Sequence, residues 1–410
     1  MDLPPVVKVR QQFTRESIDD VAGAVKRELV AAGLADRIRP KSRVAITAGS
    51  RGITRIAEIL KAVADEVKAI GAEPFLVPAM GSHGGATPEG QVEMLAGYDV
   101  TEAAMGVPIL ASMDTVTLGV AANGATVHFD RHAYEADATI VVGRVKAHTA
   151  FKGDIESGLC KMITVGLGKQ KGAESAHSAG LKESVWQCTE IAIRKANVAL
   201  GLGIVENSFD QPYRFKATPP EGILDTDREL LRLSNSLLPR VPFDYLDVLV
   251  VEWLGKNISG SGMDYNVVGM WRRIGGERKP DFKRIAVLNL TPESHGNAIG
   301  VGIADFCTRK IFDAFDMQKT YMNGLTAGAV EMIKIPPVMP TDHEAIAQAI
   351  KVAGAGPKTR LAVIHSTLHL EELYISESLL DEARANPALE IHGEPHDLHF
   401  DAEGNLRLAD

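Results

Sequence analysis

The sequence predicts an α/β fold, built from two α/β domains with an active-site cleft between them. Short apolar runs lead into Gly- or Ser-rich turns and then into segments of helical periodicity, a rhythm typical of strands that feed helices. A chain of 410 residues is too long for one ordinary core. A break that contains Pro239 and Pro242 separates two such series of strands.

The first strand-to-helix unit is the clearest. The apolar run at 43–47 predicts a strand, and the turn at 48–52 follows it. Apolar residues then recur at helical spacing from Ile56 to Ile70, and Gly71 predicts the end of this helix. The polar residues of the turn are therefore expected at the carboxyl end of a strand.

Two further units follow in the first domain. Residues 75–78 predict a strand, and Thr87 with Pro88 predicts an N-cap and the first residue of the next helix. Residues 139–143 predict another buried strand. A long loop interrupted by glycines comes next, and then a helix over residues 183–200.

A second domain is expected after the break. We place residues 1–242 in the first domain and residues 243–371 in the second. Residues 372–410 predict a helix and a hairpin turned at 401–405, and we expect this tail to return to the first domain. The elements predicted in the second domain are strands at 248–253, 285–290 and 361–365 and helices at 301–315 and 343–352.

Composition and charge argue against several classes of protein. The 44 basic and 53 acidic residues give a net charge of −9, which disfavours binding to nucleic acid or to an anionic membrane. Cys160, Cys188 and Cys307 are scattered, so we expect no disulfide framework, structural zinc site or all-cysteine iron–sulfur cluster. The N-terminal residues do not resemble a signal peptide, and no run of about 18 apolar residues occurs. We therefore expect a cytoplasmic protein.

Polar residues that directly follow predicted strands are the candidates for a site, because ligands of such sheets bind beyond the carboxyl ends of the strands. The first loop carries Ser50 and Arg51. A guanidinium near a helix N-terminus suits a carboxylate or phosphate, and a solvated arginine at a helix start is the alternative. The second loop carries His83 between small residues, where the imidazole is a candidate acid or base or a structural turn histidine. The third loop has the densest group, which is Arg144, Lys146, His148, Lys152, Asp154, Glu156, Lys161, Lys169, Lys171 and His177.

Lys161 stands between apolar neighbours. Because a lysine there is harder to keep charged, Lys161 is a candidate amine nucleophile or covalent cofactor anchor, and a surface lysine with a buried stem is the alternative. The glycines between Gly166 and Gly172 do not match the dinucleotide fingerprint, and no GxxxxGK[ST] motif occurs. Ordinary NAD and ATP sites are therefore not predicted.

These loops resemble the nickel-dependent lactate racemase family and its wider group of 2-hydroxyacid racemases and epimerases. The resemblance runs over most of the chain and is sharpest at residues 44–90 and 141–177. The residues that carry it, in the family's order and with similar spacing, are Ser50-Arg51, Gly81-Ser82-His83, Val145-Lys146-Ala147-His148, Lys161 and His177.

The resemblance implies an isomerase that racemises or epimerises a 2-hydroxyacid with a nickel-pincer nucleotide. This cofactor is pyridinium-3-thioamide-5-thiocarboxylic acid mononucleotide, whose two sulfur arms and ring carbon hold nickel. By the resemblance, Lys161 forms the thioamide link to the cofactor and His177 supplies the remaining nickel ligand. Ser50, Gly84 and Gly85 would also contact the cofactor.

The same resemblance assigns catalytic roles. His83 and His148 would act as a pair of bases that exchange the substrate hydroxyl proton, while a hydride passes to the cofactor and back. Arg51 would bind the substrate carboxylate and keep the planar 2-keto acid oriented between the two steps. A small-molecule 2-hydroxyacid and cofactor-maturation proteins are the implied partners.

The chain departs from the lactate enzymes at several positions. Gly84 stands where they have arginine, and Gly158-Leu159-Cys160 stands where they have Gly-Gly-Arg before the anchoring lysine. In the second domain, residues 262–273 resemble the family's lysine-bearing active-site helix, with Arg272 as the catalytic cation in place of that lysine. These departures predict a bulkier or more acidic hydroxyacid than lactate.

Two alternatives remain open from the residues themselves. The chain is a metal-dependent hydrolase if His83, His148 and His177 are three ligands of another metal. It is a non-catalytic binder of small carboxylates or phosphates if Arg51, Lys146 and Lys152 serve only for charge.

Overall fold

The chain forms two compact units in the computed structural model, which describes residues 3–50 and 52–408. Thr14–Leu238 is one of them, which we call the N-terminal unit. The C-terminal unit consists of the chain from Pro239 onwards together with the N-terminal segment that ends at Phe13. The predicted α/β class is confirmed, since each unit combines a sheet with helices.

The strands fall into two large sheets and two short hairpins. They are β1 (Val6–Gln11), β2 (Arg43–Ala48), β3 (Glu73–Pro78), β4 (Thr115–Val120), β5 (Thr126–Asp130), β6 (Ala138–Arg144), β7 (Val198–Glu206), β8 (Pro212–Thr218), β9 (Tyr245–Leu254), β10 (Asp281–Leu290), β11 (Phe306–Thr308), β12 (Val338–Met339), β13 (Leu361–Ile364), β14 (Glu372–Ser376), β15 (Leu389–His396), β16 (His399–Phe400) and β17 (Leu406–Arg407).

The helices connect the strands and cover the sheets. They are α1 (Val21–Ala31), α2 (Leu34–Arg37), α3 (Ile56–Ala69), α4 (Pro88–Ala96), α5 (Glu102–Met105), α6 (Arg131–Glu135), α7 (Leu159–Lys161), α8 (Lys169–Ser178), α9 (Leu181–Lys195), α10 (Ile223–Leu237), α11 (Tyr265–Val268), α12 (Trp271–Ile274), α13 (Arg309–Ala314), α14 (Met317–Thr326), α15 (Asp342–Ala353) and α16 (Leu380–Ala385). Within the described part of the chain, none of these helices has the length and apolar character needed to span a bilayer.

The N-terminal unit is built on a five-stranded sheet of order β3-β2-β6-β7-β8, in which only β8 is antiparallel to its neighbour. Its strands are almost continuously apolar, as expected for parallel strands that are buried on both faces. One face packs against the helices α1 and α3, whose apolar positions recur at helical spacing. The other face packs against the hairpin β4–β5 and against α9.

The predicted helix over residues 183–200 is wrong at its end. Helix α9 ends at Lys195, and the chain continues as strand β7 from Val198. The apolar run of β7 is buried on both faces between β6 and β8. Periodicity alone does not separate such a run from a buried helical segment, so the sheet pairing decides its conformation.

The C-terminal unit contains an eight-stranded mixed sheet of order β12-β11-β10-β9-β13-β14-β1-β15. The first five strands in this order are parallel to one another. The pairs β13–β14, β14–β1 and β1–β15 are antiparallel. The sheet is covered by α15 on one face, and a large apolar cluster that includes Tyr265 and Phe282 lies on the other.

The predicted return of the tail 372–410 to the first domain is corrected by the sheet pairing. Strand β1, at the start of the chain, lies between β14 and β15 of the tail, and Val6 is paired with Ser376 on one side and His396 on the other. Both ends of the chain therefore belong to the C-terminal unit. The physical reason is that β1 offers two hydrogen-bonding edges, which β14 and β15 satisfy.

The predicted helix over residues 301–315 is also replaced. A 3₁₀ turn at Val301–Ile303 is followed by strand β11, and only Arg309–Ala314 is an α-helix. Strand β11 is fully buried and pairs with β10 and β12. The hairpin turn predicted at 401–405 does form, with a backbone bond from Asp401 to Asn405.

Candidate active site

Three neighbouring parallel strands of the N-terminal unit, β3, β2 and β6, end at the same edge of the sheet. Ser50 follows β2, His83 follows β3 and His148 follows β6. The carboxyl edge of a parallel sheet is where ligands of such folds bind. The loops that carry the predicted site residues therefore lie along one edge.

The first two loops meet through Ser50 and His83. The Ser50 hydroxyl oxygen lies 2.5 Å from Nδ1 of His83. The Ser50 carbonyl oxygen accepts a 2.9 Å hydrogen bond from the Tyr98 hydroxyl, which fixes the start of the loop. Arg51, the predicted carboxylate ligand, lies outside the described residues.

The backbone of the His83 loop is held by a buried amide. Nε2 of Gln91, on helix α4, donates to the carbonyl oxygens of Gly81 at 3.0 Å and of His83 at 3.2 Å. Helix α4 begins as the sequence predicts, with the Thr87 hydroxyl accepting from the Gly90 amide at 3.1 Å. The imidazole itself is exposed.

Gly84 and Gly85 both have a φ of +66°, a conformation that favours glycine. A Cβ atom at Gly84 would lie 2.6 Å from the carbonyl carbon of Gly90, whereas a Cβ at Gly85 would meet nothing within 4 Å. Gly84 therefore allows the loop to close onto the start of α4. This close packing and the positive φ account for a glycine at position 84.

A fully buried ion pair supports the same loop from below. The amine of Lys169, the first residue of α8, lies 3.0 Å from the carboxylate of Asp130 and also donates to the carbonyl oxygen of Pro78 at the end of β3. The amide oxygen of Gln91 lies 3.5 Å from the same amine. Burial lowers the pKa of Lys169, and the charge of Asp130 opposes this shift.

The loop between β2 and α3 has a second anchor. The carboxylate of Glu206, at the end of β7, accepts a 2.8 Å bond from the Thr54 amide and pairs with the guanidinium of Arg144. Both side chains of this pair are largely buried. Arg144 therefore holds the edge of the sheet together.

The His148 loop is folded around the carboxylate of Glu156. This buried side chain accepts from the amides of His148 at 2.5 Å and Gly153 at 3.2 Å, and the amine of Lys152 lies 3.4 Å away. The ring of Phe151 packs against the imidazole with the centroids 4.4 Å apart. Lys152 is therefore engaged within its own loop.

Lys161 meets His148 directly. Its amine nitrogen lies 2.8 Å from Nε2 of the imidazole, and Nδ1 of the same ring accepts a 3.0 Å hydrogen bond from the amide of Ala150. The side chain of Lys161 is half-buried. Lys161 and His148, which the sequence analysis assigned to the same candidate site, are thus in contact.

A buried carboxylate positions this lysine. Asp227, on α10, accepts from the amides of Leu159 at 2.9 Å and Cys160 at 2.8 Å, at the start of the short helix that carries Lys161. Burial raises the pKa of Asp227, and the two amides oppose that shift. A Cβ at Gly158 would overlap the same carboxylate, so the glycine is required at that position.

The π-helical turn Met162–Gly166, directly after Lys161, packs against the other two loops. A Cβ at Gly49 would lie 3.0 Å from Cε of Met162, and one at Gly81 would lie 3.2 Å from Cγ1 of Val165. The segment that follows Lys161 therefore touches the ends of both the Ser50 and the His83 loops.

His177 lies in the last turn of α8. Partial burial lowers its pKa below the ordinary value, and a positive charge on Lys161 lowers it further. Both effects favour the neutral imidazole, which is the form that binds a metal.

Within residues 3–50 and 52–408, no cluster of three or more His, Cys, Asp or Glu side chains is arranged to hold a metal ion. The hydrolase alternative, which needs His83, His148 and His177 as three ligands, gains no support from this arrangement. The imidazole of His177, whose pKa is lowered in part by the charge of Lys161, and the half-buried amine of Lys161 do fit a group that brings most of its own metal ligands and attaches to a lysine.

Residues 6–187 match the sequence profile of the lactate racemase N-terminal domain. This segment is therefore similar in sequence to the N-terminal domain of lactate racemase. The fold agrees, since the structure is similar to that of the lactate racemase apoprotein from Thermoanaerobacterium thermosaccharolyticum, with a TM-score of 0.52 and 14% identity over 88% of this chain and 99% of that one. No curated protein sequence matches the chain. The resemblance to lactate racemase predicted from the sequence is confirmed.

Arg272 lies outside the segment that matches lactate racemase, and its surroundings do not support the predicted catalytic role. Its guanidinium is 3.1 Å from the carboxylate of Asp305 and donates to the carbonyl oxygens of Ile303 and Phe282. Burial lowers its pKa, against the opposing charge of Asp305. These contacts fix α12 within the C-terminal unit.

Several supporting residues of the N-terminal unit were not predicted. Gln91, Asp130 and Asp227 are fully or almost fully buried. Gln91 contacts the His83 loop, Asp130 pairs with Lys169, and Asp227 contacts the segment that carries Lys161. The signal available in the sequence was a polar residue on an otherwise apolar helix face, as for Asp227 on α10. Nothing local indicated which loop each one contacts.

Proposed function

We propose that this chain is a 2-hydroxyacid racemase or epimerase that works with a lysine-bound nickel-pincer nucleotide. The contact that carries the proposal is the 2.8 Å distance between Lys161 and His148, at the sheet edge that also carries the Ser50–His83 pair. The match of residues 6–187 to the N-terminal domain of lactate racemase supports the reaction class.

Lys161 and His177 are the residues proposed to hold the cofactor. When bound, the cofactor supplies a reversible hydride acceptor, and the chain supplies position and proton transfer. The half-buried amine of Lys161 is a site for covalent attachment. The lowered pKa of His177 keeps its imidazole available as a ligand.

His83 and His148 are proposed to exchange the proton of the substrate hydroxyl. The hydroxyl of Ser50 contacts Nδ1 of His83, which directs Nε2 of that ring away from the serine. In His148, Nδ1 is occupied by the amide of Ala150, so proton exchange with another group takes place at Nε2. Nδ1 of each ring is therefore engaged by the protein, and Nε2, which in His148 contacts the amine of Lys161, is the nitrogen proposed for the reaction.

Arg51 remains the proposed carboxylate ligand on sequence grounds. In the sequence it directly follows Ser50, whose hydroxyl contacts His83. Two parallel hydrogen bonds from the guanidinium to the carboxylate would keep the planar 2-keto acid oriented between the two steps of the reaction.

The test is inversion of single enantiomers. Protein matured with the cofactor-building proteins and nickel is incubated with a panel of chiral 2-hydroxyacids, and enantiomeric composition is followed by chiral chromatography. We expect inversion of at least one acid, with an intact-mass adduct that is absent from Lys161→Ala. A protein that carries the adduct and inverts none of the acids would contradict the proposed reaction, and His83→Ala that still inverts would contradict the proton-transfer role.

A further inference from the structure

The sheet of the C-terminal unit has a topological switch point between β9 and β13. Strands β10, β11 and β12 follow β9 in sequence and lie on one side of it, whereas β13 lies on its other side. The connections also use opposite faces, since Tyr265 of α11, between β9 and β10, packs on one face and α15, before β13, covers the other. Ligands of doubly wound sheets bind in the crevice beyond the carboxyl ends of such strands. Side chains at the ends of β9 and β13 are therefore candidates for a site that the proposed function does not use.

Glu252, near the end of β9, and His365, directly after β13, meet at this switch point. Oε2 of Glu252 lies 2.7 Å from Nδ1 of the imidazole. A carboxylate only accepts, so Nδ1 donates this hydrogen bond and Nε2 is left for another partner. The bond raises the pKa of His365 and favours the imidazolium. The backbone of His365 is fixed as well, because its carbonyl oxygen accepts from the Trp253 amide at 2.8 Å.

A second imidazole, that of His369, lies in the same loop. Its ring centroid is 5.4 Å from that of His365, and the two rings meet edge to face. Nδ1 of His369 lies 2.9 Å from the hydroxyl oxygen of Ser366, a fully buried residue. That hydroxyl already accepts from the amides of Leu368 at 3.3 Å and His369 at 3.2 Å, so its own hydrogen is donated to Nδ1. Burial lowers the pKa of His369, and the neutral ring carries its proton on Nε2.

We propose that Nε2 of His365 and Nε2 of His369 together bind a small oxyanion, a carboxylate or a phosphate, at the switch point of this sheet. Nδ1 of each ring is held by the protein and both side chains are exposed, so two N–H groups are presented to a ligand. One of them belongs to a cation, and hydrogen bonds between charged groups are about twice as strong as neutral ones. The site goes beyond the proposed function, since none of its residues has a role there.

The charged groups around the two rings agree with an anionic ligand. Glu252 is the carboxylate that acts on His365, and it binds at Nδ1 rather than at Nε2. The loop is joined to α11 by a 2.9 Å hydrogen bond from the Asp264 amide to the Thr367 hydroxyl. The carboxylate of Asp264 is engaged in its own turn, where it accepts from the amide and the side chain of Asn266 at 2.8 and 2.9 Å.

The experiment is an NMR titration of the full chain with labelled histidine, which needs neither cofactor nor turnover. Acetate represents a carboxylate and sulfate represents a phosphate, because both stay ionised between about pH 6 and about pH 9. We expect saturable shifts of both rings at about pH 6, and binding at least about tenfold weaker at about pH 9, because His365 loses its charge as the pH rises through its raised pKa. A stronger response to acetate identifies a carboxylate site, and a stronger response to sulfate identifies a phosphate site.

Variants separate the two imidazoles from the carboxylate that positions them. His365→Gln and His369→Gln assign the ring resonances, and each should weaken anion binding at about pH 6 by about tenfold. Glu252→Gln keeps an acceptor for Nδ1 but removes the charge that raises the pKa of His365. We expect anion binding to this variant to weaken near neutral pH and to recover at lower pH, a shift that a merely structural role of Glu252 would not produce.

His392 is the matched control. It is an exposed imidazole of the same unit, and its Nε2 lies 3.7 Å from the carboxylate of Glu390, so it tests whether an acidic neighbour alone is sufficient. Its ring should not shift with either anion, and His392→Gln should bind both as the wild type does. The proposal is overturned if the shifts of His392 equal those of His365, if anion binding does not depend on pH, or if no saturable shift occurs.

Discussion

The amine of Lys169 lies 3.0 Å from the carboxylate of Asp130, and neither side chain is exposed to solvent. Lys169 is the first residue of helix α8, which carries His177 in its last turn. The amine of Lys169 also lies near the amide oxygen of Gln91, and the amide nitrogen of Gln91 donates to the backbone of the His83 loop. A buried ion pair therefore connects the elements that carry two of the proposed functional imidazoles. Such a pair is costly to break by removing one partner.

Lys169→Met is expected to lower the free energy of unfolding by about 3–5 kcal/mol, because it leaves the Asp130 carboxylate buried and unpaired. Urea denaturation followed by circular dichroism measures the change. Lys169→Met combined with Asp130→Asn should recover part of the loss, since the remaining amide is neutral and can still cap α6. Lys171→Met, an exposed change in the same helix, is the control. If Lys169→Met alone is as stable as this control, the assigned role of the ion pair is wrong.

Gly84→Ala and Gly85→Ala form a matched pair. Both positions have a φ of +66°, which costs an alanine about 1–2 kcal/mol. Only the Gly84 methyl would also meet the backbone of Gly90, at 2.6 Å. We expect Gly84→Ala to be the more destabilising of the two and the only one that lowers kcat strongly, measured by urea denaturation and by inversion of the substrate. Equal effects of both substitutions would show that closure onto α4 does not matter.

Gln91→Met removes the amide that holds the carbonyl oxygens of Gly81 and His83. The buried carbonyl of Gly81 then loses its donor at a cost of about 1–3 kcal/mol, and the partly buried carbonyl of His83 loses its donor at a smaller cost. Since the side chain acts through the backbone of His83, we expect kcat to fall and KM to change little. Glu89→Gln, an exposed change in the same helix, is the control and should alter neither.

Asp227→Asn tests the support of Lys161. An asparagine side chain has one carbonyl oxygen, so the amides of Leu159 and Cys160 cannot both keep an equivalent acceptor. We expect a lower fraction of chains with a cofactor adduct on Lys161, read by intact-mass analysis after maturation. Asp225→Asn changes an exposed carboxylate of the same helix, and its adduct fraction should equal that of the wild type.

The pKa of His177 should lie below the ordinary 6.5 in the protein without cofactor. The folded state then binds the proton more weakly than the unfolded state, so His177 opposes folding only as the pH falls through and below about 6.5. NMR titration of histidine-labelled protein, assigned with His177→Gln, measures the shift. Lys161→Met should move the pKa upwards only in part, because burial is the larger cause; a pKa above 6.5 in the wild type would contradict the assignment.

The candidate site was predictable where chemistry and chain position coincide. Ser50, His83 and His148 each follow a strand that local periodicity identifies, and parallel strands end at a common edge. The supporting side chains were not predictable in the same way. Gln91 and Asp227 are defined by the backbone groups that they reach across the fold, and no local pattern encodes those partners.

The sequence by itself determined the α/β class, the strands β2, β3 and β6, the capped start of α4 and the resemblance to lactate racemase. All of these depend on short-range periodicity, capping chemistry or residue order. Tertiary structure alone decided that β1 lies between β14 and β15, that residues from Val198 form a strand, and that Arg272 is buried against Asp305. Strand pairing and the burial of a charge are settled by partners distant along the chain, whose hydrogen bonds and charges outweigh local propensity.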